Sequence, residues 1–139
     1  MDFLKCRWLP KILQRLGTSP EWPPADRMLN RSAVSITAKQ PFLDWLRRLP
    51  DPVDESTALD GINESPNLYL LPQYSYISEQ DGILEEYHDI IFEKELNGWW
   101  TDPSDWPVNR TYSMFKQWFE VIFHSMIEDL DHGDLIDDE

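Results

Sequence analysis

Glu85 and His88 stand three residues apart, a spacing that sets a carboxylate and an imidazole on one helix face, as in carboxylate-bridged di-iron bundles. Such a centre needs a second Glu-x-x-His and two further Glu, and the chain has no second copy. Glu120 and His124 share a helix face at i, i+4, or one strand face at even spacing. A mononuclear site of Glu85, His88, Glu120 and His124 is therefore the chemistry of a small metal-dependent enzyme. The plainer reading is a surface or half-buried histidine beside solvated acids. The acidic end, EDLDHGDLIDDE, puts Gly133 at position 5 counted from Asp129, where an EF-hand loop requires glycine at 6. His124 and Ser125 are neighbours and on a strand point to opposite faces; no Gly-x-Ser-x-Gly elbow is present. Five glycines leave no phosphate-cradling loop, and the single Cys6 excludes an intramolecular disulfide and a cysteine-built zinc site. No catalytic residue and no cofactor is assigned.

Two other constellations remain. Glu85, Asp89 and Glu93 form a like-charged i, i+4, i+8 ladder flanked by Glu86. Each such pair costs about 0.2–0.5 kcal/mol in an isolated helix. Lys94 lies off the ridge and the segment holds no Arg, so the helix itself supplies no opposite-charge relief. The ridge suits a basic partner, or mimics a row of phosphates; it also serves as a solvated face that keeps the protein soluble. Trp99, Trp100 and Trp106 cluster in a loop with Asp102, Pro103, Asp105 and Pro107. Clustered tryptophans act as interface anchors, as a sugar-stacking platform, or as a lid over the core.

The elements that must position these residues follow from periodicity. Arg31–Lys39 alternates Val34, Ile36 and Ala38 against Ser35 and Thr37, a half-buried strand. Phe42, Trp45, Leu46 and Leu49 recur at i, i+3, i+4 and i+7, so the spacing predicts a helix over Gln40–Leu49, stopped by Pro50 and Pro52. Residues 51–66 read as loop, and Asn67–Leu71 as a second, more buried strand whose end Pro72 places near a sheet edge. Asp81–Asn97 is the clearest helix, with Ile83, Leu84, Tyr87, Ile90 and Ile91 on one side and Asn97-Gly98 as its stop. Another helix is expected from near Asn109 through Phe119. Residues 120–130 fit either period; their β-branched and aromatic content favours a third strand, which completes a sheet.

Over 139 residues, 26 Asp/Glu against 12 Lys/Arg give a net charge of −14. That opposes direct nucleic-acid binding, which depends on Lys/Arg displacing counterions, and opposes anionic membranes for the same reason. The charge is uneven. Residues 1–27 are net +2 and the remainder net −16. Leu4, Trp8, Leu9, Ile12, Leu13 and Leu16 recur at helical spacing among Lys5, Arg7, Lys11 and Arg15, a basic amphipathic pattern interrupted by Pro10. No stretch approaches the ~20 apolar residues of a membrane span. The expected organisation is a basic, Pro-rich extension over 1–27, an acidic domain over 28–130 and an acidic tail over 131–139, in the cytoplasm.

The segments RSAVSITAKQPFLDWL, LYLLPQY and NRTYSMFKQWFEVIFHSMIEDL together resemble a family of small, uncharacterised bacterial proteins. The resemblance spans roughly Met28 to Leu130. It implies a bacterial, cytoplasmic origin and favours a start at Met28; it carries no activity, cofactor or catalytic residue.

The expectation is an α+β single domain, a three-stranded sheet packed by about three helices. Its function is expected to be non-enzymatic: a protein-interaction or regulatory module presenting Glu85, Glu86, Asp89, Glu93, Trp99, Trp100 and Trp106 to a basic protein surface. The alternative is the metal-dependent enzyme above.

Overall fold

A computed structural model describes residues 27–138. The basic amphipathic pattern and the Pro-rich linker up to Asp26 lie outside the described residues. The elements run β1 (Arg27–Met28), β2 (Ser32–Ala38), α1 (Gln40–Arg47), α2 (Leu59–Ile62), β3 (Asn67–Leu71), α3 (Gln80–Asn97), α4 (Tyr112–Trp118), β4 (Phe119–His124) and β5 (Glu128–Asp129). The architecture is α+β. The chain forms two compact units, Asn30–Met126 and a smaller one that joins residues 27–29 to residues 127–138.

In the larger unit β2 is the central strand of an antiparallel sheet ordered β3-β2-β4. Its alternation works as expected: Val34 and Ile36 are buried on the face that carries the helices. Ser35 lies on the other face, opposite Leu68 of β3 and Ile122 of β4. β4 presents Phe119, Val121 and Phe123 to the core, which resolves the ambiguous 120–130 segment as strand through His124. β3 is less buried than expected. It is an edge strand with only Leu71 buried, and Leu68 and Leu70 are 56% and 52% exposed. Among the described residues the helices lie on one face of the sheet, so every second residue of β3 faces away from them.

α1 starts with Pro41 in its first turn and buries Phe42, Leu43, Trp45 and Leu46. The segment expected to be loop over 51–66 holds the one-turn helix α2, too short for any period to show. Just after it, the Asn63 amide receives the Ala38 N–H (2.7 Å) and donates to the Ala38 carbonyl (2.9 Å), standing in for a strand partner at the end of β2. α3 buries Leu84, Ile91, Phe92 and Leu96. Ile90, expected on the apolar side, is 55% exposed. The buried stripe follows Phe92 and Leu96, which rotates Ile90 onto the outward face.

Asn109 adopts a left-handed φ of 56°, a conformation asparagine tolerates, so α4 begins at Tyr112 rather than near Asn109. Thr111 caps it, its Oγ1 accepting from the Met114 N–H at 3.1 Å. At Phe119 the backbone turns extended at once, with no connecting loop. Phe92 sits at the centre of the resulting aromatic core, with ring centroids 5.1 Å from Phe119, 5.4 Å from Trp118 and 6.0 Å from Phe115.

In the smaller unit β1 pairs antiparallel with β5, Arg27 opposite Asp129. The Arg27 guanidinium reaches Asp129 Oδ2 (3.2 Å) and donates to the carbonyls of Gly133 (2.6 Å) and His132 (3.1 Å). The Asp131 amide, and then Arg27, hold the Asp129 carboxyl below the usual carboxylate range. The Arg27 bonds to His132 and Gly133 reach past the expected boundary at Asp131.

Candidate functional site

The outward face of α3 carries the acids singled out in the sequence. Glu86, Ile90, Glu93 and Asn97 follow at i, i+4, i+7 and i+11, all exposed, with Asp89 beside them. Glu85 lies nearer the buried side, next to α4. The like-charge ladder expected to lack relief has it from outside the helix. Arg110 donates through Nη2 to Glu93 (2.6 Å) and through Nε to Asp89 (3.3 Å). Its guanidinium also donates to the Pro107 carbonyl (3.0 Å) and lies 6.0 Å from the Phe92 ring and 5.9 Å from that of Trp106. Its side chain is only 17% exposed, whereas Asp89 and Glu93 are about half exposed and present their remaining oxygens to solvent. Left-handed Asn109 aims the chain so that the next residue reaches the ridge.

Alongside this face runs an open groove of about 620 Å³ between α3 and the edge strand β3. Ile90, Glu93 and Lys94 of α3 line one side and Asn67 and Leu68 of β3 the other, with Trp106 also in the lining. The wall is rigid. Tyr69 donates its hydroxyl to Glu95 Oε2 at 2.5 Å, and Asn67 Nδ2 donates to the same oxygen at 2.8 Å, tying β3 to α3. Burial, and then the Glu95 carboxylate, push the Tyr69 hydroxyl far above its ordinary value, so it stays a donor. A second, smaller cavity of about 300 Å³ on the other side of Asn67 and Glu95 is walled by Phe42, Asn63 and Trp99.

The tryptophan loop folds largely inward. Trp100 Nε1 donates to Asp105 Oδ2 (3.0 Å), Trp106 Nε1 to the Trp100 carbonyl (2.7 Å), and Trp45 Nε1 to the Asp105 carbonyl (3.0 Å). Trp100 and Trp106 pack against the core as a lid with their indole N–H groups satisfied. Trp99 alone of the three is exposed. Asp102 holds the loop's turn by accepting from Ser104 N (3.0 Å) and Oγ (2.8 Å), bonds that keep its carboxyl below the usual range.

The metal constellation does not assemble. His88 Nδ1 lies 2.5 Å from the Glu85 carbonyl, with its ring 5.3 Å from Tyr112 and 5.9 Å from Phe115, in the helical layer. His124 contacts Ser35 Oγ at 3.2 Å on the sheet face directed away from that layer. Register decides this: His124 sits opposite Ala33, and Glu120 opposite Thr37, both on the outer face. Glu85 and His88 thus lie on one side of the sheet and Glu120 and His124 on the other. Among the described residues no three His, Cys, Asp or Glu side chains gather to hold a metal ion. Nearby, Tyr112 donates to Asp81 Oδ1 at 2.6 Å; burial and that carboxylate raise its hydroxyl above the ordinary value.

Arg110, Ile90, Leu68 and the Tyr69–Glu95 pair are missed by sequence spacing. Arg110 sits in a loop with no period, and the signal for Leu68 was the alternation of NLYLL bracketed by Pro66 and Pro72, an edge signature. No helix among the described residues is long and apolar enough to cross a membrane. No family model, no curated protein and no solved structure matches the chain.

Proposed function

We propose that the unit Asn30–Met126 is a non-enzymatic interaction module that receives a basic protein surface on α3. The observation that carries this reading is the outward row Glu86–Ile90–Glu93: an exposed aliphatic side chain between two exposed carboxylates, beside an open groove. A charged rim around an apolar contact is how interfaces combine partner choice with burial. The unit holds 7 Lys/Arg against 16 Asp/Glu, so its long-range field attracts a cationic partner. Arg110 tempers the ridge at Asp89 and Glu93 without covering it, and it holds those two carboxylates in fixed positions. A row of carboxylates also suits the groove of a nucleic-acid-binding protein, in which Glu86, Asp89 and Glu93 take the place of phosphates.

The test is affinity capture by the full chain at low and high salt, beside the triple variant Glu85→Gln, Glu86→Gln, Glu93→Gln. Asp89 is kept so that Arg110 retains a partner. The expected result is a basic partner held at low salt, released at high salt and lost in the variant. Equal capture by the variant sinks the reading.

A further inference from the structure

We propose that the basic partner binds by strand addition: an extended peptide segment, alternating basic and apolar residues, pairs with the free edge of β3. This rests on the acidic-face reading above and says how the partner engages it.

Among the described residues β3 pairs only with β2, in the order β3-β2-β4. In an antiparallel ladder alternate residues of an edge strand turn their N–H and C=O away from the neighbour. Among the described residues, those of β3 make no backbone hydrogen bond beyond the ladder to β2. Natural edges are guarded by charge, by an internal proline or by a covering element. The sequence Asn67-Leu-Tyr-Leu-Leu71 has no charge and no proline within it; Pro66 and Pro72 stand only at its ends and set a pairing window of five residues.

The two faces of an added strand meet different surroundings, and this defines the peptide. One set of alternate side chains points to the α3 side, into the groove walled by Ile90, Glu93 and Lys94, with Glu86 one turn before Ile90 on the helix, so that two carboxylates outnumber one ammonium there. The other set lies beside Leu68 and Leu70, both more than half exposed on the outer sheet face. Basic residues suit the first set and aliphatic residues the second, the alternation of a half-buried strand. The Tyr69 and Asn67 bonds to Glu95 hold edge and helix in register before a partner arrives, which lowers the ordering cost of binding. Pairing of β3 with β3 of a second copy is the competing occupant, and it brings two acidic α3 faces together.

The probe is an acetylated and amidated heptapeptide, Lys-Val-Lys-Val-Lys-Val-Lys, titrated at low salt into the isotope-labelled full chain and followed by amide resonances. Two further forms carry N-methyl groups on every Lys amide or on every Val amide; both keep all side chains and charges, and each blocks one set of strand hydrogen bonds. The expected result is perturbation and slowed exchange over residues 67–71, with one N-methylated form weakened about tenfold or more. Leu68→Lys with Leu70→Lys, surface changes that install the missing guard, are expected to weaken the parent peptide similarly while circular dichroism stays unchanged. Equal binding by all three peptides means that charge alone holds them; strand addition then falls while the acidic-face reading survives. Absence of parent binding also overturns strand addition, and the capture experiment judges the acidic face separately. Protection of β3 on concentrating the protein without peptide assigns the edge to a second copy and overturns the proposal.

Discussion

Arg110 Nη2 reaches Glu93 Oε2 across 2.6 Å, from a loop seventeen residues further along the chain than the helix position it neutralises. The same guanidinium lies against Phe92 and Trp106, so one side chain joins the acidic ridge, the aromatic core and the tryptophan lid. An exposed ion pair alone contributes roughly 0–1 kcal/mol. The enclosed guanidinium adds packing and a cation–π contact of about 0.5–1 kcal/mol.

Arg110→Ala is therefore expected to destabilise the unit by about 1–2 kcal/mol, a few degrees in Tm for a domain of this size. Its salt response discriminates further. The Asp89–Glu93 repulsion left behind is screened by salt, so stability of the variant rises with ionic strength relative to the parent chain. Urea unfolding at low and high salt measures both.

Phe92→Ala is expected to cost about 3–5 kcal/mol, because it removes a fully buried ring surrounded by three other aromatics. Ile90→Ala, two residues earlier on the same helix, is expected to stay within about 0.5 kcal/mol. Denaturant midpoints of the two variants check that α3 points its faces as described; similar losses would contradict it.

Asn63→Ala strands the half-buried Ala38 N–H and carbonyl that the amide now satisfies. The expected cost is about 1–3 kcal/mol. Asn63→Asp keeps the acceptor and loses the donor, so it is expected to retain part of the stability near neutral pH. Thermal unfolding of both variants separates the two bonds.

Alkaline pH is expected to weaken the fold through Tyr69 and Tyr112, whose hydroxyls are raised above the ordinary tyrosine value of about 10, chiefly by burial. Below that value both folded and unfolded chains keep these protons, and the contribution is whole. Above it the unfolded chain releases them first, binds fewer protons than the folded chain, and stability falls as pH rises. Absorbance titration is expected to show Tyr69 and Tyr112 ionising late. Tyr69→Phe, with no hydroxyl to ionise, is expected to make the alkaline loss of stability shallower.

Local periodicity determined much of the fold. The alternation of Val34 and Ile36, the i, i+3, i+4, i+7 run from Phe42 to Leu49 and the bracketed Asn67–Leu71 gave elements close to those found, because side-chain direction repeats every two residues in a strand and every 3.6 in a helix. Composition likewise established the acidic character and placed the acids of α3 on a single segment. Tertiary structure decided what periodicity leaves open. Which strand stands at the sheet edge depends on pairing order, and that order left Leu68 and Leu70 exposed where a buried strand was expected. The register of β4 on β2 sent His124 to the face away from His88 and dissolved the metal set. Arg110 found Glu93 through a left-handed turn at Asn109 that no spacing rule encodes. The common reason is that spacing specifies a side chain's direction within its own element, whereas the partner it meets is set by how separate elements pack around the Phe92 core.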